Sequence, residues 1–207
     1  MEIDVPEFDK IAREVFAPVY PVIAEQIKHK AGITRGTCLD IGCGGGYLGI
    51  AMAGLTELHV YLFDNSQEML KIAAQNIASR GMEAKVQTLY GDVHQIPLDN
   101  GSIDLAISRG SVFFWEDHHK AFKEIYRVLK PGGAAFIGGG FGTPELKKQI
   151  FCEMQKRDIE WRERTKNHNS DSNLMRYRDV LQQSGIPTFD VTRNETGLWV
   201  TIRRKNL

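Results

Sequence analysis

TCLDIGCGGGYLG, residues Thr37 to Gly49, is the stretch whose reading decides the fold. Cys38, Leu39 and Ile41 are apolar residues around a single acid, Asp40, the pattern of a short buried strand. Directly beyond it, Gly42, Gly44, Gly45 and Gly46 occupy four of five positions. A run so rich in glycine is not a core helix; lacking Cβ atoms, it turns the backbone sharply and lets a ligand lie against it. Tyr47 to Leu55, YLGIAMAGL, then takes up helical apolar spacing. Strand, glycine loop and helix, in that order, open a nucleotide-binding βαβ unit.

Gly44, Gly46 and Gly49 satisfy G-x-G-x-x-G, a motif that suits a dinucleotide as readily as other nucleosides. A second strand, His59 to Phe63, ends in Asp64, twenty residues beyond Gly44, where an acid takes hydrogen bonds from ribose hydroxyls. Asp40 separates the readings. A carboxylate beside the glycine loop repels the pyrophosphate of NAD, whereas it suits a ligand that carries an ammonium and a sulfonium.

With Asp40, Gly42, Gly44 and Gly46 meeting D-x-G-x-G-x-G, the chain resembles the class I S-adenosylmethionine-dependent methyltransferases, in particular the small-molecule, type 11-like domain. The resemblance covers almost the whole chain and is carried further by FDNSQEML (Phe63 to Leu70), YGDVHQIPLDNGSIDLAIS (Tyr90 to Ser108) and EIYRVLKPGG (Glu124 to Gly133). It implies S-adenosyl-L-methionine as cofactor, leaving as S-adenosyl-L-homocysteine. The cofactor-binding set implied is Asp40, Gly42, Cys43, Gly44, Gly46, Asp64, Asn65, Met69, Gly91, Asp92, Val93, Ser108 and Arg109. Asp92 is the acid that, in the family, accepts from the adenine amino group; the other reading is a plain Gly-Asp turn. Met69 packs on the adenine face or in the core.

The chain has 207 residues, 42% of them hydrophobic, which is one ordinary domain with a substantial core. Twenty-six basic residues balance twenty-six acidic ones, so the broad basic footprint of a nucleic-acid binder is missing. Three cysteines and an N-terminus without a basic and apolar leader indicate neither a disulfide framework nor secretion. With no run of membrane-spanning length, a soluble cytoplasmic protein with no membrane or nucleic-acid partner is expected. Oligomeric state is unmarked.

Phe8, Ile11, Ala12, Val15 and Phe16 form one face of a first helix that Pro18 ends, and Pro21 suits the first turn of a second running to about Lys30. In the resembled family such helices cover the cofactor cleft, and Tyr20 at their junction is a pocket candidate. After the buried strand SIDLAIS come Ser108, Arg109, Gly110 and Ser111, at the strand end where open parallel sheets bind ligands. Family members acting on DNA adenine or protein glutamine often carry an Asn/Asp-Pro-Pro-Tyr tetrad here; Ser-Arg-Gly-Ser argues against a planar amide or base nitrogen as acceptor. Arg109 suits a carboxylate, from an anionic substrate or from the methionyl part of the cofactor; otherwise it pairs with Glu116 or Asp117. In Val112 to Trp115, VFFW, consecutive aromatics cannot all face one way, so one or two reach a ligand.

His118 and His119 are read as the polar start of a helix running to Leu129, with no metal site, because adjacent residues diverge by about 100° on a helix. Gly138 to Gly142 forms a second glycine cluster that leaves space for the acceptor or simply turns the chain. Leu146, Ile150 and Met154 mark a helix reaching towards Trp161; residues 164–173 read as a mobile connection, and the tail as an antiparallel hairpin across Asn194 to Gly197.

The expected fold is a Rossmann-like, doubly wound α/β domain with a mainly parallel seven-stranded sheet and an antiparallel C-terminal hairpin. Within a single domain over 1–207, residues 1–32 cover the cleft, 33–142 form the cofactor core and 143–207 supply C-terminal helices and the hairpin. The resemblance adds one antiparallel edge strand. The expected activity is in-line methyl transfer to a small-molecule acceptor, whose pocket candidates are Tyr20, Arg109, Ser111, Phe113, Trp115 and Phe141; no catalytic base is assigned. Two alternatives stay open: an NAD(P)-dependent oxidoreductase, and a non-catalytic module that binds the cofactor.

Overall fold

Five short runs, most of them buried on both sides, become the parallel part of the sheet: β1 (Arg35–Ile41), β2 (Glu57–Asp64), β3 (Val86–Tyr90), β4 (Ile103–Arg109) and β5 (Leu129–Gly140). The hairpin β6 (Phe189–Asn194) and β7 (Gly197–Arg203) completes the sheet, in the computed structural model that describes residues 4–158, 161, 165 and 167–206. Among the described residues the order is β3-β2-β1-β4-β5-β7-β6. The chain leaves β1 for β2 on one side and later returns to β4 on the other, so β1 and β4 flank the topological switch point where such sheets bind ligands. Register brings the carboxyl ends together: Asp40 lies opposite Leu62 and Ile107, Asp64 opposite Tyr90, and Arg109 opposite Gly138.

The helices start where the sequence offers caps. Ser66 accepts from Met69 N–H at 3.2 Å to begin α4 (Gln67–Ala78), and the Asp117 carboxylate accepts from Lys120 N–H at 3.0 Å to begin α5 (His118–Val128). In chain order the others are α1 (Val5–Glu14), α2 (Val19–Ala31), α3 (Tyr47–Leu55), α6 (Pro144–Arg157) and α7 (Asp171–Gln183). The second helix begins two residues before Pro21, which falls inside its first turn. None of the described helices is long and apolar enough to cross a membrane.

Strand alternation sends side chains into two cores. Cys38, Val60, Leu62, Leu105 and Phe136 pack under α2, α3 and α6, with Ile23, Met52 and Ile150 as partners. Leu39, Phe63, Ala106, Ile137 and Val200 pack under α5 and α7, with Phe122, Ile125, Tyr177 and Leu181. Burying each large apolar chain contributes about 1.5–3 kcal/mol.

Four expectations change. The antiparallel strand is β7, which sits between β5 and β6, so the edge belongs to β6; β7 is buried along most of its length and β6 has one buried residue. β5 starts at Leu129 instead of after Gly133, with the register shifting between Ile103 and Leu105 as the strand passes residues 130–133. Of the connection expected over 164–173, residues 164 and 166 lie outside the described residues, while Asn167–Asn169 forms a 3-10 turn and α7 starts at Asp171. His118 is not a polar surface residue: it is buried, its Nε2–H donates to Val112 O at 2.8 Å, and its Nδ1 accepts from Arg176 at 3.1 Å. His119 turns instead to Ser184, so the two imidazoles diverge.

Burial pulls the pKa of His118 below the ordinary histidine value, and the nearby Arg176 charge acts in the same direction. The unfolded chain therefore binds this proton more tightly than the native one. That contribution to stability is complete above about pH 6.5 and declines as the pH falls below it. Thermal denaturation should show a lower midpoint at about pH 5.5 than at about pH 7.5. His118→Gln, which keeps an N–H for Val112 O, should reduce the difference.

Candidate functional site

The glycine loop is tied to the end of β2 by backbone and side chain. Gly42 and Cys43 both donate N–H to Phe63 O, at 2.8 and 3.1 Å. The two oxygens of Asp64 divide the next contacts, Oδ2 accepting from Gly44 N–H and Oδ1 from Ser66 N–H, each at 2.9 Å. One carboxylate thus joins the loop to the start of α4. Gly42 has φ +63°, and a Cβ there would lie 2.3 Å from Ser111 Cβ, so this position needs glycine on both counts.

Asp40 is fully buried under the loop and accepts from Gly49 N–H at 2.8 Å, in the first turn of α3. Burial raises its pKa to about 7; the Gly49 bond opposes that and the Asp64 charge adds to it. Asp92 stands at the far side. Its Oδ1 accepts both the backbone N–H and the Nδ1–H of His94, which hold its pKa below the usual carboxylate value, and His94 Nε2 accepts from Asp117 N–H at 3.1 Å. The Gly-Asp turn is therefore present, with Oδ2 outside those bonds. His94, which sequence reasoning passed over, links this turn to the start of α5.

Arg109 points among rings. Its guanidinium carbon is 4.3 Å from the Phe16 ring centre, 5.7 Å from Phe141 and 6.0 Å from Tyr20, and Nε donates to Gly140 O at 3.2 Å. The expected alternative pairing with Glu116 or Asp117 is not made: Asp117 caps α5, and the titratable neighbour acting on Arg109 among the described residues is Tyr20. Burial lowers the pKa of the guanidinium and raises that of the Tyr20 phenol. Tyr20 stacks on Tyr47 at 5.3 Å, and Tyr47 O–H donates to buried Asp9 at 2.7 Å, which fastens α1 and α2 over the glycine loop.

One cavity of about 1470 Å³ runs along these strand ends. It is lined by Asp40, Gly42, Cys43, Gly44, Asp64, Asn65, Met69, Gly91, Asp92, Val93 and Arg109, and by Tyr20, Ser111, Phe113, Trp115 and Phe141. Two expected residues lie off its wall. Ser108 is fully buried behind Ser111, whose Oγ is 2.6 Å from its own, and Gly46 caps α3 against Leu62. Phe113, Phe114 and Trp115 all line the wall, while Val112, at the start of the 3-10 turn Val112–Phe114, is buried in the core.

The second glycine cluster does not leave open space. A Cβ on Gly139 would meet the Phe113 ring at 2.6 Å, and Cβ atoms on Gly138 and Gly140 would meet the Trp199 ring at 2.8 and 2.6 Å. Beyond it, the cavity wall includes Phe16, Phe151, Trp161 and His168, which lie far from the glycine loop in sequence.

A pocket at the switch point, with acids at one end and aromatics around an arginine at the other, is the site of a doubly wound fold that binds a nucleoside-containing ligand. Comparison with known proteins makes this specific. The profile of the methyltransferase domain family matches residues 39–137. The methyltransferase YdaC of Bacillus subtilis (strain 168) is 34% identical over 129 residues, 61% of this chain and 69% of YdaC. A structure from Methanococcus maripaludis assigned to the S-adenosyl-L-methionine-dependent methyltransferases superimposes with a TM-score of 0.95 at 42% identity, covering 98% of this chain and 93% of that one. The chloroplastic 2-methyl-6-phytyl-1,4-hydroquinone methyltransferase 1 of Oryza sativa subsp. japonica is 32% identical over 131 residues, 59% of this chain and 38% of that protein. The chain belongs to the S-adenosyl-L-methionine-dependent methyltransferases, and S-adenosyl-L-methionine is its cofactor. It spans little more than a third of the rice enzyme's length.

Gly42→Ala would combine a left-handed backbone with a clash against Ser111. Urea denaturation should show a loss of roughly 1–3 kcal/mol relative to wild type.

Proposed function

We propose that the protein methylates a small apolar molecule, with cofactor and acceptor side by side in the one cavity. The carrying observation is that continuity: the acids at the ends of β1, β2 and β3 share a space of about 1470 Å³ with the rings around Arg109. Pockets for a single drug-sized ligand run to about 1000 Å³, so two molecules have room here. The described residues within 1–32 act as the cover, those within 33–142 as the cofactor core and those within 143–207 as the C-terminal helices and hairpin, in a single domain.

The residues fit the cofactor. Asp64, already oriented by Gly44 and Ser66, takes the ribose hydroxyls together with Asn65; Asp92 takes the adenine amino group on Oδ2, beside Gly91 and Val93; Met69 packs against the base. Gly42, Cys43 and Gly44 let the methionyl part lie against the backbone. Asp40 faces its ammonium and Arg109 its carboxylate, two opposite charges near the same Tyr20 ring, whose titration responds to both. When bound, the cofactor supplies an electrophilic methyl group on a sulfonium. The chain's share is to align the acceptor and exclude water, which α1, α2 and the aromatic wall do by closing over the strand ends.

The acceptor side is aromatic, with Phe113, Phe114, Trp115 and Phe141 on the wall. Such a surface takes an apolar body. The rice relative is named for a phytyl hydroquinone, a molecule of that character. Balanced charge and the absence of a tetrad for a base or amide nitrogen argue against nucleic acid or protein glutamine as the acceptor.

Calorimetric titration should show that S-adenosylhomocysteine binds and NAD does not. Asp64→Ala should weaken the former by roughly 1.5–3 kcal/mol, the scale for hydrogen bonds to a charged group. Unchanged affinity in that variant would remove Asp64 from the cofactor site. The state of Asp40 gives a separate test. Near pH 7 its carboxyl is partly protonated, and a bound ammonium favours the ionised form. Titrations at about pH 7 in buffers of different ionisation enthalpy should report proton release on binding, and Asp40→Asn should abolish it.

A further inference from the structure

His168 lies in the 3-10 turn Asn167–Asn169, well away in sequence from every motif discussed above. Its imidazole stacks flat on the Phe113 ring, with centres 4.0 Å apart and planes within 5°. Phe113 in turn covers Gly139 on β5, the strand beside Arg109, so the imidazole sits two layers above the carboxyl end of the sheet. It lines the same cavity as the glycine loop and Arg109. Asn169 holds the turn from the other side by donating Nδ2–H to Asn194 O at 3.1 Å.

We infer that His168 is the proton acceptor in methyl transfer, and that the methyl acceptor is a small apolar molecule whose nucleophile is an acidic hydroxyl or a thiol. The inference rests on the methyl-transfer reading above. An oxygen or sulfur of the acceptor forms the bond to the methyl carbon as the sulfonium–methyl bond breaks; that electron pair stays on sulfur as a neutral thioether, and the acceptor's proton goes to an imidazole nitrogen and then to solvent. A base is needed only where the nucleophile carries a proton at neutral pH. An imidazole is matched to phenols and thiols and poorly matched to aliphatic alcohols. The aromatic wall supplies the apolar recognition, and stacking fixes the ring plane that directs the nitrogen.

Burial lowers the pKa of His168, which favours the unprotonated form a base requires. Among the described residues, the charged groups lining this end of the cavity are Glu116 beyond the Val112–Phe114 turn, Lys147 and Lys148 on α6, Asp158 after it, Arg193 on β6 and Glu195 at the β6–β7 turn. Arg193 is paired with Asp171 of α7 at 2.8 Å, and Lys147 donates to Glu195 O. Among the described wall residues the other imidazole, His94, is held between Asp92 and Asp117.

The test needs no knowledge of the acceptor. The His168 side-chain resonance, assigned by its loss in His168→Phe, is titrated by NMR in complexes of the full chain with S-adenosylhomocysteine and with S-adenosylmethionine. These ligands differ by a methyl and one positive charge. A base placed to serve the reacting centre should titrate lower in the sulfonium complex, by on the order of one unit, with exposed His29 and His59 as references. His168→Phe, which preserves the stack, should bind S-adenosylhomocysteine within about twofold of wild type. Identical His168 titrations in the two complexes would overturn the proposal and leave the imidazole as packing for Phe113. Failure of S-adenosylhomocysteine to bind wild type would instead overturn the methyl-transfer reading beneath it.

Discussion

The Asp64 carboxylate is the interaction on which the rest of the site depends. One oxygen holds the Gly44 N–H and the other the Ser66 N–H, so a single side chain at the end of β2 fixes both the glycine loop and the start of α4. The loop also hangs from Phe63 O through two backbone bonds. These contacts set where β1 stops, where α3 begins and how close a ligand can come to the backbone. Hydrogen bonds to a charged group contribute about 1.5–3 kcal/mol each, enough to hold a loop that has few side chains to pack.

Charge is arranged along the strand ends with little internal neutralisation. Asp40 is buried beneath the loop with a pKa near 7, and Arg109 is surrounded by Phe16, Tyr20 and Phe141. Burying a charge without a counterion costs several kcal/mol, which cation–π contact of about 0.5–2 kcal/mol offsets only in part. A ligand bringing the opposite charge to each would stabilise both groups. The aromatic residues around Arg109 and those packed on them come from the α1–α2 turn (Phe16), α2 (Tyr20), the end of β5 (Phe141), α6 (Phe151) and Trp161 beyond it, so this wall is assembled from distant parts of the chain.

How far the sequence could be read depends on the range of the physics involved. The first strand, the glycine loop, α3 with both its ends and the Ser66 cap were legible because each is set by neighbours within a few residues. The same holds for the β6–β7 turn, where Asn194 Oδ1 accepts from Thr196 and Gly197. The purpose of Gly138 to Gly140 was not legible. Those residues lack side chains because Phe113 and Trp199, from elsewhere in the chain, occupy the space. Ser108 and Ser111 look interchangeable in sequence, yet one is buried and only the other faces the cavity.

Alone, the sequence determined the family, the order of the parallel strands' motifs and the acids at the strand ends, since glycine conformations, caps and strand ends are local properties. Tertiary structure decided the far wall of the cavity: the insertion of β7 inside β6, the ring of aromatics around Arg109 and the stacking of His168 on Phe113. Each of these joins residues tens of positions apart, and such contacts follow from how helices pack on a twisted sheet. No local pattern encodes them.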